Sequence, residues 1–178
     1  MTTSPTGQTD DFWEFVDVAG SALSARQPQA DIDATRLLLM LNRASDVVTY
    51  DLESSVHRAQ GSTWAAFRVL YVLWLAGPMD ARHVARLTNM SRAAVSNVVS
   101  TLVGRGHLAS AVRAEDHRAK ELSLTTEGQH YIERTYAQQN EREQEWAALL
   151  TDQDRADLSR ILDRLMSGRR SIGARERT

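Results

Sequence analysis

Cysteine is absent from the 178-residue chain, which excludes disulfides, a cysteine nucleophile, a zinc ribbon and thiol redox sensing. Proline occurs three times, at Pro5, Pro28 and Pro78, and glycine nine times. With so few breakers, long stretches read as helix. The longest apolar run, residues 69–76, is far too short to span a bilayer, so no membrane partner is expected. The first eleven residues are polar and acidic, without the basic-then-apolar order of a signal peptide; the expectation is a soluble cytoplasmic protein. Enzyme signatures are missing too: there is no Gly-x-Ser-x-Gly elbow, phosphate loop or dinucleotide fingerprint. Acid pairs such as Glu141 and Glu145 share a helix face and read as solvated charges. No catalytic residue, cofactor or enzymatic activity is therefore expected. The five histidines form no tight cluster with Asp or Glu in the sequence, so no metal site is expected either.

Apolar periodicity is what the chain has. Residues 10–22 carry Phe12, Phe15, Val16 and Ala19 at helical spacing with Trp13 beside them, and residues 26–29 break the pattern. From Asp33, the series Leu37, Leu41, Ala44, Val48, Leu52 and Ser55 predicts one amphipathic helix ending near Arg58. Ser62 or Thr63 caps a helix over 64–76, which Gly77 and Pro78 stop. The rhythm then shortens. Asp80 caps a short helix holding Val84, Ala85 and Leu87, residues 88–90 make a turn, and Ser91 caps a second helix. That helix has an inward stripe of Val95, Val98, Val99, Leu102 and Val103 and ends at residues 104–106. Two strands, 108–113 and 120–124, flank a charged tip at 114–118. Thr125 caps a long helix to about Leu150, and Thr151 with Asp154 resembles a capping box opening the last helix.

Short helix, turn, second helix and hairpin follow the order of a winged helix-turn-helix with a two-stranded β-wing, in a mainly α chain. The valines of the second helix anchor it, while Ser91, Arg92, Ala94, Ser96, Asn97, Ser100 and Thr101 occupy the opposite face. Asn suits adenine, Arg suits guanine, and Ser or Thr suits base or phosphate. The net charge of −2 argues, as an average, against a uniformly basic surface. Its distribution reverses the argument. From Asp80 to Lys120 seven bases and three acids leave +4, residues 1–31 carry −4, and the rest −2. The positive charge falls where phosphate would lie.

Residues 61–128 resemble the MarR family (multiple-antibiotic-resistance regulators). The resemblance rests on Val84–Ala85–Arg86–Leu87, on Ser91 to Ser96 running to Leu102–Gly106, on Asp116–His117–Arg118, and on Leu124–Thr125–Thr126–Glu127–Gly128. It implies a homodimer that binds double-stranded DNA, with N- and C-terminal helices forming a dimerisation layer. Residues 1–60 would then hold an extra N-terminal helix and the first dimerisation helix, and 61–125 the winged helix-turn-helix. Residues 126–168 would hold the C-terminal dimerisation helices, and 169–178 a basic flexible tail. In such wings Arg118 enters the minor groove while Asp116 holds it, as suits a planar guanidinium in a narrow, electronegative groove. Many relatives carry an Arg near the start of the wing where this chain has Ala109–Ser110–Ala111. Wing contacts therefore fall to Arg113, His117, Arg118 and Lys120.

The same resemblance implies a small aromatic effector that releases the protein, expected to be a repressor, from a pseudo-palindromic operator. Arg68 is the one charged residue between Ala59 and Met79, and it sits among aromatics. A buried guanidinium needs an anion. That anion is either an effector carboxylate, with Trp13, Trp64 and Phe67 as walls, or a protein carboxylate such as Asp46, Asp51 or Glu53. Trp13 on an extra helix resembles the urate-sensing subgroup, but that subgroup has an acid near the position of Arg68, which argues against urate itself. Two alternatives stand beside this reading: a winged-helix interaction module without DNA binding, and a metal-responsive regulator in which His107 and His117 approach across the wing.

Overall fold

The computed structural model describes residues 11–112 and 120–175. The chain divides into two compact units, Met1–Thr49 and Tyr50–Thr178. In the first, α1 (Phe12–Arg26) is followed by α2 (Ile32–Leu52), whose start is capped by Asp31 accepting from the Ala34 N–H at 2.9 Å. Val16 is buried, Asp17 pairs with Arg36 at 3.0 Å, and Arg43 lies over the Phe12 ring. The hollow lined by Val16, Leu23, Ile32 and Leu39 holds only about 10 Å³, too little for more than one water.

In the second unit the chain does not continue as a helix to Arg58. After Leu52 it widens into a π-turn, Glu53–His57, and then tightens into a 3₁₀ turn, Arg58–Gln60, closed by Gly61 at φ +64°. Helix α3 (Trp64–Ala76) follows, then β1 (Met79–Asp80), α4 (Ala81–Thr88), α5 (Arg92–Gly104), β2 (Leu108–Val112), β3 (Lys120–Leu124), α6 (Thr126–Ala147) and α7 (Asp152–Gly168). The helix starts are fixed by short polar side chains. Thr63, Asp80, Ser91, Thr125 and Thr151 each accept from the backbone N–H three residues on, and Thr151 with Asp154 forms a full capping box.

Helix α3 is apolar nearly all round because α4, α5, α6 and β3 all pack on it. Val69, Leu70, Val84, Val95, Leu102 and Ile132 meet there, each no more than 1% exposed. The wing is part of a three-stranded antiparallel sheet of order β1-β3-β2, in register Met79↔Leu122, Leu108↔Leu124 and Val112↔Lys120. β1 is an addition to the expected two-stranded hairpin.

Other departures have simple causes. Leu87 is 54% exposed, and Thr88 takes its expected place inside α4. At 100° per residue, Val84, Thr88 and Ala85 share one arc and Leu87 lies off it. Thr88 tolerates burial because its hydroxyl donates to the Val84 carbonyl at 2.7 Å. Val103 is 40% exposed, since it lies about 80° round α5 from the Val95–Leu102 row. Leu37, placed on the inward stripe of α2, is 58% exposed. Helix α6 ends at Ala147, short of Leu150.

Candidate nucleic-acid interface

A tight turn sets α5 against α4. Asn89 adopts φ +52°, and Ser91 accepts the Ala94 N–H at 3.2 Å. Asn is among the few side chains that tolerate the left-handed region. The turn leaves α5 with two unlike halves. Val95 and Leu102 are buried with Val98 and Val99 beside them, while Arg92, Ser96, Asn97, Ser100 and Thr101 are exposed on the opposite arc. Ser91 is exposed at the N-terminus; Ala94 is half-buried against the core. The Thr101 hydroxyl donates to the Asn97 carbonyl at 3.1 Å, which commits its proton to the helix and leaves its lone pairs outward.

The wing is tied down at its base. Thr125 Oγ1 donates to the Gly106 carbonyl at 2.6 Å, and the Thr125 N–H donates to His107 O at 3.1 Å. Gly128 passes so close that a Cβ there would lie 2.0 Å from the His107 carbonyl oxygen. Only glycine lets α6 start against the His107 backbone just before β2, which gives the Thr125-to-Gly128 motif its physical meaning. Ala109, Ser110 and Ala111 are exposed on β2, an edge strand, and Lys120 is exposed at the start of β3. Arg113, Asp116, His117 and Arg118 lie outside the described residues.

Several polar residues beyond the expected contacts border this surface. Arg82 and Arg86 are exposed on α4, readable beforehand only as part of the local charge. Arg105 is anchored, its Nη1 donating to the Gly61 carbonyl at 2.8 Å. Asp80 caps α4 and also meets His83 Nδ1 at 2.9 Å. The backbone N–H of His83, then its ring, hold the Asp80 carboxyl below its usual range.

The expected effector residues fall on α3 except Trp13, which lies on α1 with its side chain outside those described. Trp64 and Phe67 stack with ring centroids 5.6 Å apart. Phe67 is 3% exposed, with His57 and Tyr71 rings on it at 4.7 and 5.4 Å, so a ligand would first have to uncover it. Arg68 donates from Nη1 to the Thr88 carbonyl at 2.8 Å and lies over the Trp64 ring. Two of the carboxylates considered for it are held elsewhere. Asp51 accepts from Arg142 Nε and Nη2 (2.6 and 2.9 Å) and from Trp146 Nε1 (2.8 Å), bonds that lower its pKa. Glu53 sits 3.6 Å from Arg58. Among the described residues no group of three or more His, Asp or Glu is placed to hold a metal ion. No described helix is long and apolar enough to cross a membrane.

Comparisons with known proteins agree with this geometry. Residues 60–119 match the MarR family model. The chain is 28% identical over 132 residues to an uncharacterized HTH-type transcriptional regulator, YwaE, of Bacillus subtilis strain 168, covering 74% of this chain and 77% of that one. A crystal structure of a probable transcriptional regulator from Pseudomonas aeruginosa superposes with a TM-score of 0.65 at 26% identity, over 72% of this chain and 96% of that one. The fold is also that of Bordetella bronchiseptica BpsR, whose DNA binding is regulated by 6-hydroxynicotinic acid. There the TM-score is 0.68 at 22% identity, over 74% of this chain and 98% of BpsR. Residues 60–119 thus match a MarR-family domain, in a chain similar in sequence and fold to transcriptional regulators.

Proposed function

We propose that the protein works in the cytoplasm as a homodimeric repressor that reads a pseudo-palindromic operator and is released by a small aromatic carboxylate. The observation that carries the DNA-reading part is the outer face of α5. Arg92, Ser96, Asn97 and Thr101 stand exposed on a helix whose other half is locked into the core. Ser91, Ala94 and Lys120 flank them, and Arg113, His117 and Arg118, oriented by Asp116, would extend the contact through the wing. Direct readout by Asn97 and Arg92 supplies specificity, and the local bases supply salt-dependent affinity.

Homodimerisation is supported by helix α7. Leu158, Ile161, Leu162 and Leu165 recur at helical spacing on one face and are all at least 37% exposed. Two recognition helices held about 34–36 Å apart match successive half-sites. The effector reading rests on the half-buried Trp64 and Arg68, with Phe67 behind them, and on the aromatic acid that regulates BpsR. An effector acts only through its differential affinity for the two spacings of the dimer.

The test is selection of bound duplexes from random DNA, followed by titration of the winning duplex with salt and with a panel of aromatic acids. A palindromic winner whose affinity falls steeply with salt supports the reading. No selectable duplex at low salt would leave an interaction module instead.

A further inference from the structure

His57 is wholly buried, 0% exposed, in the π-turn between the end of α2 and the start of α3. Glu53 O accepts the Arg58 N–H, five residues on, as a π-turn requires, and the His57 carbonyl accepts the Ser62 N–H at 2.9 Å across the 3₁₀ turn that follows. The ring lies against Phe67 (4.7 Å between centroids) and Trp64 (5.7 Å), both on α3. Across the seam is Gln139 of α6, 3% exposed, whose Nε2 donates to Glu143 at 2.7 Å. Gln139 is near enough to favour a charged ring, yet the pair falls short of hydrogen-bonding geometry. Among the described residues, neither nitrogen of His57 nor Oε1 of Gln139 has a partner. Three orphaned polar atoms in one packed seam are costly, so the arrangement needs a physical reason.

The groups facing this ring are few. The π-turn itself contributes Glu53, which Arg58 approaches at 3.6 Å. Helix α6 contributes Gln139, with Glu143 behind it already accepting from Gln139 and Asn140. Helix α3 contributes only the Trp64 and Phe67 rings, with Arg68 beyond Trp64. An imidazolium here would place one N–H on Gln139 Oε1 and leave the other without an acceptor. Burial outweighs the help of Gln139 and Glu53, so the pKa of His57 lies below its ordinary value of 6.5.

We propose that His57 is a proton-operated latch: the neutral ring fills the seam between α3 and α6, and protonation expels it, loosening the π-turn and weakening operator binding. The latch spans the two helices that matter. Helix α3 carries α4 and α5 on its surface, and α6 grows directly from the wing strand β3. Beside it Gln60 forms the rest of the seam, accepting from Thr135 at 2.7 Å and donating to Gln138 at 2.6 Å. Because the packed form binds the proton less readily than the open form, its stability is complete above about pH 6.5 and is lost as pH falls below that value. Each pKa unit separating the two forms is about tenfold in their ratio.

The link to DNA rests on the proposed operator reading; the latch itself is read by stability. The experiment compares wild type with His57→Phe, which keeps an aromatic in the seam, and with His57→Gln. Urea midpoints and affinity for a selected duplex are measured at pH 7.5 and 5.5. Wild type is expected to lose about tenfold in affinity on acidification, together with a fall in midpoint, and each folded variant to lose several-fold less. Parallel pH profiles in wild type and a folded variant overturn the proposal. Should neither variant fold, NMR titration of the wild-type ring decides it. Protonation near 6.5 with the native spectrum intact overturns the latch, and protonation well below 6.5 with loss of native signals sustains it. If no duplex is ever bound, the operator reading fails, and the midpoints still judge the latch.

Discussion

Helices α3 and α5 are both thirteen residues long and pack against each other, yet they follow opposite rules. Around α3 nearly every position is answerable to a neighbour, and five of its side chains are buried. On α5 only Val95 and Leu102 are buried, and Arg92, Ser96, Asn97 and Thr101 on the outer arc are exposed, so that core packing does not dictate their identity. A residue whose type packing determines reports on the fold. A polar residue whose type packing leaves free, on a rigidly held face, reports on what the face meets.

The sharpest way to break this contrast is to exchange the costs. Leu70→Ala, at the centre of α3 and 0% exposed, is expected to lower unfolding stability by about 2–5 kcal/mol, measured by urea denaturation. Operator affinity should fall only as the folded fraction falls. Asn97→Ala on α5 should do the reverse. Stability stays within about 0.5 kcal/mol, while binding to the selected duplex weakens by about 1–3 kcal/mol with relaxed preference at one base pair. Equal losses in both assays for either variant would erase the distinction between the two helices.

The same contrast explains what the sequence made legible. The caps Thr63, Asp80, Ser91, Thr125 and Thr151 were readable because each acts on an N–H only three residues away. The two faces of α5 were readable because valines and small polar residues alternate with the helical period. What escaped was set by distant partners. β1 is two residues long and exists only because β3 pairs with it. The π-turn at Glu53–His57 sits where a helical series continued to Ser55, because its register is fixed by packing on α3 and α6 rather than by local propensity. Thr88 inside and Leu87 outside depended on which arc of a two-turn helix faces α3, a choice that eight residues barely encode. At the candidate interface, the polar face was visible, whereas the burial of Phe67 beneath His57 was not.

A smaller effect probes the joint between the two regimes. Ser91 ends the turn that aims α5, and its side chain both caps the helix and borders the outer face. Ser91→Ala removes the acceptor for the Ala94 N–H and is expected to reduce stability by about 1 kcal/mol. Ser91→Asp keeps a capping acceptor and restores the stability, but it adds a negative charge where phosphate would lie, so affinity drops although the fold is repaired. Recovery of both together would mean that this end of α5 does not approach a phosphate.

The smallest expected effect separates the caps of the two short helices by their chemistry. Asp80 of α4 ionises and Ser91 of α5 does not, although both accept an N–H three residues on. The His83 backbone N–H and ring hold the Asp80 carboxyl below its usual value of 3.8. A carboxylate whose pKa is lowered by folding adds stability that is fully present above the unfolded value and disappears as pH falls through the folded one. Asp80→Asn keeps an acceptor at the cap and removes the titration. The difference in urea midpoint between wild type and Asp80→Asn should therefore be flat from neutral pH down to about 4 and should narrow below it, wild type losing more. Since every other carboxylate titrates in both proteins, the difference isolates this one cap. A constant difference across the acid range would show that Asp80 caps α4 by geometry alone, as Ser91 caps α5.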